Sequence, residues 1–132
     1  MQNSEIDKIN SPDSGGEDEA ECLAVLKVLD RIGDKWTVMV LGALADGTLR
    51  FNTILRTING ISHRMLTLTL RSLERDGLVT RKIYPTIPPR VEYTLTEIGH
   101  SLIVPLLSLS DWGNEHLPQI EKARERYDKL SK

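Results

Sequence analysis

The chain of 132 residues has a single cysteine, Cys22, so no intrachain disulfide framework is available to it. It lacks an apolar run long enough to cross a bilayer, and its first residues, MQNSEIDKINSPDSGGEDEAE, lack the apolar stretch of a signal peptide. These absences set the expectation of a cytoplasmic protein with no membrane partner. His63, His100 and His116 form no metal-like arrangement with the lone cysteine. No glycine-rich phosphate loop is present, and no nucleophile motif surrounds any serine. The sequence therefore predicts a protein that is not an enzyme and needs no cofactor or metal.

A basic excess is also missing overall, with a net charge of −2, but its distribution matters more than its sum. Residues 1–21 hold seven acids against one base, whereas residues 22–95 hold eleven bases against six acids. The positive charge lies in the middle of the chain, as expected of a nucleic-acid-binding segment flanked by neutral or acidic ends.

Residues 1–21, polar and acidic, predict a disordered tail. A domain is expected over 22–117 and a polar segment over 118–132. Cys22, Val25, Leu26, Leu29 and Ile32 share one face of a first helix, which Gly33 ends. Asp34 is placed to cap a second helix with an apolar stripe of Trp36, Met39, Val40, Ala43 and Leu44. Residues 48–50 are a short extended piece. Phe51, Ile54, Leu55 and Ile58 mark a two-turn third helix. Asn59-Gly60-Ile61 is a tight connection, Ser62 caps a fourth helix, and Met65, Leu66, Leu70 and Leu73 form its inner face. Residues 78–84 and 91–95 predict two strands around a tip stiffened by Pro85, Pro88 and Pro89. Thr96 caps a last helix that Pro105 should bend, with Pro118 starting a further segment.

Two short helices around a glycine turn, followed by a hairpin, are the order of a winged helix-turn-helix. The expected class is mainly α with a small β-hairpin wing. In such a protein the second helix of the pair enters the major groove tip first. That helix, 62–76, presents Ser62, His63, Arg64, Thr67 and Arg71 as candidate DNA contacts. Arginine suits a bidentate contact to guanine, and serine or threonine suits base or phosphate. Arg71 is also spaced for an ion pair with Glu74, which would make it a structural clamp. In the wing, 80–95, Lys82 and Arg90 are the candidates, and an arginine on a stiff loop suits a narrow minor groove. Trp36 and Trp112 fall on apolar stripes and are assigned to packing. The surface of Leu102, Leu106, Leu109 and Trp112 exceeds what one helix needs on so small a core, which predicts a homodimer interface.

Three stretches carry a family resemblance: IGDKWTVMVLGAL at 32–44, GTLRFNTILRTINGISHRMLTLTLRSLERDGLVTR at 47–81, and YPTIPPRVEYTLTEIGHSL at 84–102. The chain resembles HxlR-type transcriptional regulators, a branch of the MarR-like winged-helix proteins. The resemblance implies a homodimer built from the first and last helices, a recognition helix starting at Ser62, a wing ending near Arg90, and double-stranded DNA as partner. It also implies a redox or small-molecule effector, with Cys22 standing where some members carry a sensing cysteine. A competing reading, a winged-helix module that binds another protein, calls for a neutral recognition helix and wing. Arg64 and Arg90 oppose it.

Overall fold

The computed structural model describes residues 16–131. Its helices are α1 (Gly16–Ile32), α2 (Lys35–Ala43), α3 (Phe51–Thr57), α4 (His63–Arg75) and α5 (Glu97–Leu130), and its strands are β1 (Leu49–Arg50), β2 (Val79–Tyr84) and β3 (Arg90–Leu95). The strands form one antiparallel sheet in the order β1-β3-β2. The extended piece at 48–50 thus becomes an edge strand, with Leu49 opposite Tyr93 and Arg50 opposite Glu92.

The starts of α2, α4 and α5 are each set by a local side chain. Asp34 accepts the backbone N–H of Thr37 at 3.0 Å and its hydroxyl at 2.7 Å. Ser62 Oγ accepts the N–H of Met65 at 3.0 Å. Thr96 Oγ1 accepts the N–H of Gly99 at 3.1 Å and donates to the carbonyl of Gly77 at 2.7 Å. Gly60 has φ +86°, which supplies the sharp turn between α3 and α4.

The core joins α2, α3, α4 and the sheet through Val40, Leu41, Leu44, Ile54, Leu66, Leu70, Leu73 and Val79. Two expected stripes are rotated. In α2, Thr37 and Leu41 are buried while Met39 is exposed. In α4, Thr69 is buried while Met65 is exposed. The faces turn because α2 packs on α4, and α4 also packs on β2. The contact direction of each helix is set by its neighbours as well as by its own hydropathy.

Two further expectations are corrected. Helix α1 begins at Gly16, so residues 16–21 of the expected disordered tail are helical, and residues 1–15 lie outside the described residues. Pro118 opens no new segment: α5 runs unbroken through both Pro105 and Pro118 to Leu130, taking in most of the polar segment 118–132. A proline removes one ladder hydrogen bond, and the carbonyls left over belong to Ser101 and Asn114, which are exposed to water. The apolar face of α1 is left open within one chain: Leu23, Val25, Leu26, Val28 and Leu29 are all exposed, and only Ile32 enters the core.

Candidate nucleic-acid interface

Helix α4 stands at the surface on a buried apolar underside. Its cap uses one lone pair of the Ser62 hydroxyl on the Met65 N–H, which leaves the hydroxyl hydrogen free to donate to a ligand at the helix tip. The His63 ring rests on Phe51, with centroids 4.7 Å apart and planes 52° apart. Phe51 also leans on Tyr93, so one aromatic chain links the tip of α4 to the sheet. Arg64 is exposed and makes no ion pair among the described residues. Thr67 is half-buried and donates its hydroxyl hydrogen to the carbonyl of His63 at 2.9 Å, which leaves only its lone pairs for a ligand. Arg71 is exposed one turn further on.

The expected Arg71–Glu74 pair does not form. Glu74 instead faces Arg81 of β2, with Arg81 Nε 3.4 Å from its carboxylate. That contact ties the recognition helix to the wing and leaves Arg71 on the open face. Burial raises the pKa of the Tyr93 hydroxyl, opposed by the nearby charges of Arg81 and Arg71. Tyr93 is therefore neutral across the physiological range.

The wing gathers more than its two expected cations. In the β2–β3 register Lys82 lies opposite Glu92 and Tyr84 opposite Arg90. The Arg90 guanidinium sits 4.2 Å from the Tyr84 ring centroid, and the Lys82 ammonium 4.9 Å from it. Arg90 Nε is 3.4 Å from Glu92 Oε2. The same nitrogen is buried and lacks a hydrogen-bond partner, so this is an ion contact outside hydrogen-bond geometry. A shallow cleft of about 350 Å³ runs between Arg50, the Pro88-Pro89 tip, Arg90 and Val91. Tyr84, Glu92 and Arg50 were not singled out by sequence reasoning. Their signal is the cross-strand register, which places them beside Lys82 and Arg90 once the hairpin is aligned.

The residues expected at an interface between subunits divide into two kinds. Leu102 and Leu106 are half-buried against the core, while Leu109 and Trp112 are exposed. The Trp112 ring stacks on His116 at 4.6 Å, and His116 Nδ1 lies 2.9 Å from the carbonyl of Trp112. Cys22 is a half-buried free thiol on α1. Among the described residues, no cluster of three or more His, Cys, Asp or Glu could hold a metal, and no helix is long and apolar enough to cross a membrane.

A capped helix presented after a glycine turn and flanked by an arginine-bearing hairpin defines a winged helix-turn-helix protein. Residues 31–121 match the HxlR-like helix-turn-helix family, and the chain belongs to it. It is 47% identical over 116 residues to an uncharacterized HTH-type transcriptional regulator of Methanothermobacter thermautotrophicus, covering 88% of each chain. Among solved structures it is similar to the redox regulator HypR in its reduced form, with a TM-score of 0.71 and 42% identity over 75% of this chain and 98% of that one. It is also similar to the reduced transcriptional regulator YodB from B. subtilis, with a TM-score of 0.65 and 33% identity over 71% of this chain and 92% of that one.

Proposed function

We propose that the protein is a transcriptional regulator that binds duplex DNA as a homodimer at palindromic operators, with α4 in the major groove and the wing in the flanking minor groove. The observation that carries this reading is the open row of Arg64, Thr67 and Arg71 on α4 beside Lys82 and Arg90 on the wing, all on secondary structure rather than on loose loops. In this arrangement Arg64 reads a base edge, Lys82 contacts phosphate, and Arg90 enters the minor groove. The α1 and α5 surfaces support the dimer. Leu23, Leu26, Leu109 and Trp112 are more than half exposed, and large exposed apolar side chains on both helices favour a second copy. Two-fold symmetry in the protein then matches two-fold symmetry in the operator.

The likeness to redox regulators supports an effector acting through Cys22. An apolar crevice of about 290 Å³, lined by Val28, Ile32, Leu78, Ile98 and Leu102 together with the Arg31–Asp76 ion pair, offers room for a small molecule between α1, α5 and the end of α4.

The test is titration of wild-type protein and Arg64→Ala against an operator duplex selected from a randomised library and against its scrambled version. Loss of Arg64 should weaken the selected duplex by about 1–3 kcal/mol and relax discrimination at one position per half-site. An equal loss on both duplexes would remove Arg64 from base readout.

A further inference from the structure

We infer that Glu92 and Tyr84 are positioning residues for DNA recognition, which hold Arg90 in its groove-reading pose before DNA arrives. This rests on the wing reading proposed above.

Glu92 is a carboxylate on the face of the wing that carries the cations. It lies on the central strand, with Lys82 opposite it on β2 and Arg50 opposite it on β1, and its carboxylate touches Arg90 Nε. A negative charge among residues that meet phosphate works against binding through simple Coulomb repulsion. Its compatibility with the surface therefore lies in what it does to its neighbours. Arginine carries large rotamer freedom that binding must remove, and a side chain already held in its bound pose loses less.

The structure supplies two restraints on Arg90 and fixes the ring that provides one of them. The guanidinium lies against the Tyr84 ring at 4.2 Å, the range of a cation–π contact. Nε is buried and faces Glu92 at 3.4 Å. Tyr84 is itself half-buried and is the cross-strand partner of Arg90, so the ring is fixed by the same hairpin. The Glu92 contact uses Nε, the inner nitrogen, and does not consume the terminal Nη groups that reach a groove. Side-chain exposure is 35% for Arg90 and 21% for Glu92, so the pair is less screened than an open surface ion pair. Lys82 shares the Tyr84 ring at 4.9 Å, which spaces the two cations on one support.

The experiment compares wild type, Arg90→Ala, Glu92→Gln and Tyr84→Leu on two duplexes. Both carry the core that the wild-type protein selects from a randomised library, with A·T base pairs in one set of flanks and G·C base pairs in the other. The readout is the ratio of the two affinities, with circular dichroism melting as the control for folding. Wild type should prefer the A·T flanks, and Arg90→Ala should bring the ratio to about one. Glu92→Gln should reduce the preference at least threefold while binding the G·C-flanked duplex as tightly as wild type or tighter, because it removes a charge that repels phosphate. Tyr84→Leu should reduce the preference without that gain. A merely structural role would weaken both duplexes together and leave the ratio alone.

A wild-type ratio retained by Glu92→Gln overturns the role of Glu92, and one retained by Tyr84→Leu overturns that of Tyr84. If wild type shows no preference, or Arg90→Ala keeps it, the wing reading itself fails and the inference falls with it.

Discussion

Replacing Gly99 by alanine should destabilise the protein although Gly99 lies in a helix, where alanine is ordinarily the better residue. In α5 the substitution gains roughly 0.8–1.0 kcal/mol of helix propensity. The position denies that gain. Gly99 is buried where the first turn of α5 crosses the start of β2, and a Cβ built there runs into the Leu78 carbonyl oxygen, with the Leu95 side chain 3.2 Å away. The obstacle is backbone and has little room to withdraw. Leu78 accepts the N–H of Thr96 at 3.0 Å, and Thr96 Oγ1 is bonded to Gly77 at 2.7 Å. Relief requires α5 to lift, which breaks these bonds, and overpacking of this kind costs typically about 1–3 kcal/mol beyond the propensity gain. The control is Gly42→Ala in α2, where a Cβ meets nothing within 4 Å. That variant should be more stable than wild type by up to about 1 kcal/mol. Thermal unfolding at one fixed protein concentration should therefore move in opposite directions for the two variants. A Gly99→Ala protein as stable as Gly42→Ala would refute the close-approach reasoning.

Other expectations concern the cap, the subunit contact and the thiol. Asp34→Ala should cost about 1 kcal/mol at neutral pH, measured by urea unfolding. Burial pushes the Asp34 carboxyl up, but the hydrogen bonds from Thr37 and the nearby backbone outweigh it and hold the group below its ordinary value. A lowered carboxyl contributes stability above its unfolded pKa and loses it as pH falls, so the advantage of wild type over Asp34→Asn should shrink below about pH 4. An advantage independent of pH would contradict this. Light scattering at micromolar concentration should give twice the chain mass for wild type and a smaller species for Leu109→Glu, whereas a monomeric wild type would end the dimer proposal. Diamide should alter operator binding by wild type and leave Cys22→Ser unchanged, and a wild type indifferent to diamide would remove Cys22 from sensing.

The parts legible in the sequence were those governed by near neighbours. Asp34, Ser62 and Thr96 each bond three residues ahead, within reach of a pattern read along the chain. The glycine turn and the proline-bounded hairpin are local for the same reason. The exchange of Met39 for Leu41, and of Met65 for Thr69, depends on where α2 meets α4, which no single helix encodes. Pairing of β1 with β3 joins residues more than forty positions apart. Lys82 and Arg90 were legible as charges, whereas the Tyr84–Glu92 support beneath them became visible only with the strand register.

The Thr96 hydroxyl, bonded to Gly77 on one side and Gly99 on the other, fixes the root of α5 at the junction of recognition helix and wing. From that root the helix runs 34 residues. At 1.5 Å per residue it is about 51 Å long, so a tilt of roughly 10° at its base sweeps its far end through about 9 Å. In the proposed dimer this long arm works as a caliper between the two α4 helices. Substitutions near residues 96–99 would then retune the spacing between operator half-sites while every side chain that touches a base stays the same.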